Sequence, residues 1–231
     1  MFSDPNFEYS QEEMDAVLRK HDGAWNADDY MMIFNENLPI GKYSESVYFI
    51  PFLIDFVRNA NSSSSGLPDV IENFLGWVHR NVDNLKRDGF LEDIISDFQN
   101  ILKRDLSTFV LVGCANGWYL PAYFNRVVEV VSGLNRVIPQ RHVADELIEE
   151  QLCDLTCFAS AAWMLYLSYE YSHDMSLSIS FKSDYVGKFC SVRANIDKCA
   201  SVVKEKGCLS ECELRFIMRL VNSVVTNRHQ S

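Results

Sequence analysis

The sequence predicts an all-α fold: a single multi-helix globular domain of about eight to ten helices with a long apolar central helix. Apolar residues recur every three to four positions along most of the 231 residues, the spacing of helices that bury one face. Hydrophobic residues make up 48% of the chain, enough for a sizeable core. Two capping boxes, Ser10 with Glu13 and Ser210 with Glu213, mark helix starts near the two ends.

Helix boundaries in the first half follow from proline and glycine. Pro51 predicts a kink or boundary inside the apolar stretch 44–59, and NSSSSG at 61–66 predicts a loop. A helix should then open at Pro68 and stop at Gly89. A second apolar face at 90–102 completes a predicted helical hairpin.

The longest apolar run predicts one helix over 140–171. From Leu155 onward it is apolar on nearly all sides, so we expect it at the centre of the fold. Further helices are predicted over 185–203, ended by Gly207, and over 210–225. The alternating segment 177–181 predicts an extended connector.

Charge is uneven along the chain. The net charge is −11, and residues 1–30 hold eight acids against two bases, whereas residues 187–231 hold four acids against eight bases. We expect residues 1–41 to form an acidic N-terminal arm packed on a single helical domain spanning 1–231. The acidic balance argues against binding to nucleic acid or to an anionic membrane, and it favours encounter with a basic protein.

Cysteine content and the N-terminal sequence predict a cytoplasmic protein. The first residues are acidic and contain no apolar segment typical of a signal peptide. Seven cysteines, an odd number, are then expected as reduced thiols. The uncharged stretches 106–125 and 155–169 read as buried core rather than membrane spans.

A glycine motif lies at Gly113-Cys114-Ala115-Asn116-Gly117, after the apolar run Val110-Leu111-Val112. It resembles the first motif of Rossmann-like methyltransferases, which would imply S-adenosylmethionine binding through Gly113–Gly117, with Glu129 on a second strand holding the ribose. The alternative is a helix–turn–helix junction whose turn is Asn116-Gly117. The expected acid two positions before Gly113 is Leu111, which favours the alternative.

Metal sites and catalytic residues are not predicted. Glu170 and His173 form one Glu-x-x-His, whereas di-metal helical bundles use two. The pairs Cys153 with Cys157 and Cys208 with Cys212 are better explained as small apolar fillers of a helical core than as zinc ligands. We therefore expect no cofactor and no metal.

The segment 22–30 is the remaining candidate for a binding site. Asp22, Trp25, Asp28, Asp29 and Tyr30 place two aromatic anchors among carboxylates, a combination suited to a basic protein surface. Alternatively, the two rings dock the N-terminal arm onto the core.

These observations lead to three functional hypotheses. The first is a non-catalytic protein-binding protein, such as an acidic inhibitor of immunity or antitoxin type. The second is a helical small-molecule binder or enzyme with an aromatic pocket, lined by Trp118, Trp163, Tyr166 or Tyr169. The third is the methyltransferase implied by the glycine motif.

Overall fold

The computed structural model describes residues 9–20, 24–35, 42–60, 66–114, 118–139, 143–172, 184–207 and 209–227. Their α-helices are α1 Gln11–Leu18, α2 Ala27–Ile33, α3 Tyr43–Ser46, α4 Ile50–Asn59, α5 Leu67–Arg80, α6 Val82–Asp88, α7 Leu91–Leu106, α8 Phe124–Val137, α9 Val143–Leu152, α10 Phe158–Ser172, α11 Asp184–Ser191, α12 Arg193–Lys206 and α13 Glu211–Asn227. A 3-10 turn, Val47–Phe49, precedes α4. Strands β1 Leu111–Gly113 and β2 Tyr119–Pro121 form a hairpin.

The predominantly helical fold is confirmed, but the predicted number of helices is wrong. The described residues contain more than ten α-helices, because several predicted helices are interrupted. Residues 67–89 divide at Asn81 into α5 and α6, and residues 185–203 fall in α11 and α12, which divide at Val192. Within the described residues, no helix is long and apolar enough to cross a bilayer.

The prediction of one long central helix over 140–171 is also wrong. Its described part forms α9 and α10, separated by residues 153–157. The Asp154 carboxylate accepts hydrogen bonds from the Thr156 backbone N–H at 3.0 Å and from its hydroxyl at 2.6 Å. Such a side-chain turn competes with helical hydrogen bonding and ends α9.

Contacts within the chain divide it into two compact units. Unit 1 comprises residues 1–101 and 132–141, and unit 2 comprises residues 102–131 and 142–231. In unit 1, α2 packs against α5; in unit 2, α10 packs against α9, α11, α12 and α13. Residues 159–168 of α10 are all buried, so this helix forms the centre of unit 2. A single domain over 1–231 with an N-terminal arm stays a prediction.

Several local boundaries lie where the sequence predicts them. Both capping boxes form, with the Ser10 and Ser210 backbone N–H groups donating to the Glu13 and Glu213 carboxylates. Pro68 lies in the first turn of α5. Gly89 ends α6 with φ of 84°, a left-handed conformation that glycine adopts without a Cβ penalty.

The structure around the glycine motif differs from both interpretations of the sequence. Gly113 ends β1, which pairs antiparallel with β2, whereas a helix–turn–helix junction has no such strands. Glu129 lies in α8 rather than on a second strand. Residues 115–117 lie outside the described residues, as does the predicted connector 177–181.

Candidate functional site

The aromatic side chains of segment 22–30 pack inside unit 1. Trp25 is 5% exposed, and its indole N–H donates to the Val17 carbonyl oxygen at 2.9 Å. Its ring centroid lies 5.2 Å from that of Phe49 and 5.0 Å from that of Phe52. Trp25 therefore contacts both α1 and the 47–59 region within unit 1.

Tyr30 and Asp29 are buried beside it. The Tyr30 ring packs on Phe56 with centroids 5.1 Å apart. The Asp29 carboxylate accepts from the Asn26 backbone N–H at 2.8 Å and pairs with Lys20. Burial raises the pKa of the Tyr30 phenol well above its ordinary value, and nearby carboxylates add to the shift. These are the contacts expected if the segment docks onto the core.

The two other residues of the predicted partner site differ from these three. Asp28 is exposed, and Asp22 lies outside the described residues. The structure thus brings Trp25, Asp29 and Tyr30 into the interior of unit 1 and leaves Asp28 at its surface. A role of Asp28 in partner binding stays a prediction.

Tyr48, within the apolar stretch 44–59, is an exposed aromatic residue of unit 1. It is 57% exposed, and its ring lies edge-on to Phe49 at 5.2 Å. Tyr48 belongs to the 3-10 turn before α4, where each residue advances about 120° rather than about 100°. Pro51, predicted as a kink or boundary, lies in the first turn of α4, directly after this 3-10 turn.

Unit 1 carries most of the negative charge of the protein. It has 18 acids and 9 bases, a net charge of −9, whereas unit 2 has 14 acids and 12 bases, a net of −2. Several acids on α5, α6 and α7 are exposed and have no ion pair among the described residues. We call them the unpaired acids: Asp69, Glu72, Asp83, Glu92 and Asp93.

A cleft in unit 1 lies beside one of these acids. Its volume is about 300 Å³, and its apolar wall includes Leu91, Ile95 and Val137. Exposed Glu92 and Lys86 also line it. The cleft therefore combines an apolar surface with a carboxylate.

Two of the four aromatic residues that suggested a small-molecule pocket are core residues of unit 2. Trp163 and Tyr166 are fully buried, and the Trp163 indole N–H donates to the Thr108 carbonyl oxygen at 2.8 Å. Trp118 does meet Tyr169, with ring centroids 5.7 Å apart. A pocket lined by all four rings stays a prediction.

A second cavity lies in unit 2, on α13 and β2. It has a volume of about 210 Å³ and is lined by Tyr119, Cys212, Arg215, Phe216 and Arg219. The Arg215 Nη2 group donates to the Cys212 sulfur at 3.4 Å. The sequence analysis missed this site, although the spacing 212, 215, 216 and 219 places all four residues on one helix face.

The described cysteines are free thiols that differ in burial, and Cys114 is intermediate. Cys190 and Cys199 are buried, as expected for apolar fillers, and burial raises the pKa of Cys199 to about 12. Cys153, Cys157 and Cys212 are exposed, so the filler interpretation is wrong for them. The backbone N–H of Ser160 lowers the pKa of the Cys157 thiol. Cys208 lies outside the described residues.

A buried ion pair lies inside unit 2. The Arg126 guanidinium donates to both Asp105 carboxylate oxygens, at 2.6 and 2.7 Å, and the two side chains are 3% and 1% exposed. The Arg126 guanidinium also lies 4.7 Å from the Tyr123 ring centroid. This bidentate geometry has a structural role, because the pair is enclosed by protein.

Among the described residues, no group of three or more histidine, cysteine or acidic side chains could hold a metal ion. His173 lies outside them, so the Glu-x-x-His motif is not described. In the comparisons with known proteins, no family model, curated protein or solved structure matches the chain.

Proposed function

We propose that the chain is a non-catalytic protein-binding protein whose acidic unit 1 engages a basic partner. The observation that carries this proposal is the division of charge, −9 in unit 1 and −2 in unit 2, together with the exposure of the unpaired acids. Charge of one sign on one part of a protein accelerates encounter with the opposite sign and repels like-charged competitors.

The contacts of the acids support this assignment. Other carboxylates of unit 1 are neutralised locally: Asp55 and Asp97 pair with Arg58 at 2.7 and 2.9 Å. The unpaired acids have no such neutralisation within the described part of the chain. Their charges are available to lysine or arginine side chains of a partner.

The cleft beside Glu92 supplies an apolar component. Interfaces gain most of their binding energy from apolar or aromatic side chains that enter pockets, whereas surrounding charges set specificity and association rate. We propose that a basic segment of the partner places one apolar side chain against Leu91, Ile95 and Val137. Within this proposal, the protein acts as an inhibitor or immunity-type partner of a basic enzyme.

The experiment is in-cell cross-linking followed by an affinity measurement on the identified partner. The test variant neutralises four acids of unit 1 (Asp69→Asn, Glu72→Gln, Glu92→Gln, Asp93→Asn). The matched control neutralises four exposed acids of unit 2 (Glu149→Gln, Glu150→Gln, Asp197→Asn, Glu205→Gln). We expect the test variant to lose about tenfold or more in association rate at low salt and the control to lose much less.

Two results would overturn the proposal. One is a partner whose cross-links map to unit 2 and whose association rate is unaffected by the four unit 1 substitutions. The other is a partner with an acidic contact surface. Circular dichroism of both variants establishes that they are folded, so a loss of binding reports on charge.

A further inference from the structure

The cavity on α13 and β2 joins a nucleophilic group to a cationic surface. Cys212 is exposed, and the guanidinium groups of Arg215 and Arg219 lie on successive turns of the same helix face. Arg215 contacts the Cys212 sulfur at 3.4 Å. Neither arginine has an ion pair with a carboxylate among the described residues. Two positive charges therefore face a cavity that also contains a thiol.

The rest of the lining defines what fits. Phe216 and Tyr119, whose ring centroids are 5.3 Å apart, form an aromatic wall. Phe216 also meets Trp118 edge-on at 4.9 Å, which fixes the ring. A volume of about 210 Å³ accommodates part of a small molecule rather than a folded domain.

We propose that this cavity binds small anionic disulfides and that Cys212 forms a mixed disulfide with them. The Cys212 thiol releases its proton to solvent, and the thiolate attacks one sulfur of the incoming disulfide. The reagent S–S bond breaks, a new S–S bond forms to Cys212, and the other half of the reagent leaves as a thiolate. Oxidised glutathione, which carries several carboxylates, belongs to this class.

The arginines determine the class of ligand. A planar guanidinium binds carboxylate oxygens in a bidentate manner. Arg215 contacts the reacting sulfur and Arg219 lines the same cavity, so together they favour an anionic disulfide over a neutral or cationic one. This selectivity is independent of the partner proposed for unit 1, because it uses only residues of unit 2.

The experiment compares two disulfide reagents on the full chain. The first is dianionic 5,5′-dithiobis(2-nitrobenzoate), and the second is neutral 2,2′-dithiodipyridine. Peptide mass spectrometry gives the rate at each cysteine, and the readout is the anionic-to-neutral rate ratio at Cys212. In Arg215→Gln/Arg219→Gln, we expect this ratio to fall about tenfold. Salt at about 0.5 M should lower the wild-type ratio in the same direction.

Controls separate the cavity from general charge and from misfolding. Arg193→Gln removes an exposed arginine of unit 2 that lies 3.5 Å from Asp197, and it should leave the Cys212 ratio unchanged. Arg219→Gln alone keeps the Arg215 contact to the sulfur and should lower the ratio by a smaller factor. Cys153 and Cys157 report in the same spectra and should be insensitive to both α13 substitutions.

A final arm uses oxidised glutathione itself. We expect the glutathione mixed disulfide to form on wild-type Cys212. Its yield at Cys212 should be at least several-fold lower in Arg215→Gln/Arg219→Gln. If the reagent ratio at Cys212 is unchanged by both arginine substitutions and by salt, the anion site is overturned. If glutathione modifies Cys212 equally in wild type and double variant, the assigned ligand class is overturned.

Discussion

Unit 1 and unit 2 are both helical, but they use charge in opposite ways. Unit 1 has twice as many acids as bases and exposes several acids without an ion pair among the described residues. Unit 2 is nearly neutral; it encloses the pair Asp105–Arg126 and presents two arginines in a cavity. Exposed charge of one sign acts on partners at a distance, whereas the enclosed pair Asp105–Arg126 acts on stability. Arg215 and Arg219 are exposed but line a cavity, so they act on ligands in contact.

The largest expected effect comes from breaking the enclosed pair of unit 2. Asp105→Ala leaves the Arg126 guanidinium buried without its carboxylate and should lower the free energy of unfolding by about 3–5 kcal/mol. Urea denaturation followed by circular dichroism measures this loss. The control, Asp197→Ala, removes an exposed pair with Arg193 and should cost about 0–1 kcal/mol. Equal losses would contradict the structural role of the buried pair.

A smaller effect should follow from tightening the packing of unit 1. A Cβ on Gly133 would lie 2.1 Å from Leu75 Cδ1 and 2.7 Å from Leu75 Cβ. Gly133→Ala should therefore destabilise the protein by about 1–3 kcal/mol, measured as a lower urea midpoint. Gly113→Ala in unit 2 is the comparison, because its Cβ would meet Tyr119 at an ordinary 3.6 Å. A Gly133→Ala protein as stable as wild type would mean that α5 and α8 adjust freely.

Alkaline pH should destabilise both units through buried phenols. Burial raises the pKa values of Tyr30 in unit 1 and Tyr166 in unit 2, so the unfolded chain loses these protons first as pH rises above about 10. Stability is then lost with increasing pH, by up to about 1.4 kcal/mol per pH unit for each phenol. Tyr30→Phe and Tyr166→Phe should each flatten the dependence of the urea midpoint between pH 10 and 12. Slopes identical to wild type would show that neither phenol is responsible.

The smallest effect on stability should come from an unpaired acid. Glu72→Gln removes an exposed charge in α5 and should change the free energy of unfolding by less than about 0.5 kcal/mol. Thermal unfolding at low and high salt measures this change. A destabilisation above 1 kcal/mol would show that Glu72 makes a structural contact, and it would remove this residue from the proposed binding surface.

The candidate sites were only partly predictable. The sequence left two alternatives for Trp25 and Tyr30, surface anchors for a partner or rings that dock onto the core, and both rings are enclosed by phenylalanines of the 47–59 region. The local sequence, an aromatic residue among acidic ones, is the same whether the ring faces solvent or packs against a second helix. The cavity with Cys212, Arg215 and Arg219 needed β2 for its Tyr119 side, which no helical periodicity reveals.

Local rules sufficed where the stabilising groups are neighbours in the chain. Apolar period, capping boxes at Ser10 and Ser210, proline at 68 and glycine at 89 predicted helical structure and several of its ends. These features depend on hydrogen bonds and dihedral angles within about four residues, so the sequence by itself determined them.

Tertiary structure decided which faces are covered. The Asp154–Thr156 turn between α9 and α10 is local, although it was not predicted, whereas the exposure of Tyr48 and the enclosure of Trp25 depend on packing. Exposure depends on which distant element packs against a residue, because burial free energy is gained only when the two surfaces meet. Packing of Tyr119 against Phe216 completed the cavity on α13. Distant pairing also let Arg58 and Lys20 neutralise Asp97 and Asp29, whereas the unpaired acids have no ion pair within the described part of the chain.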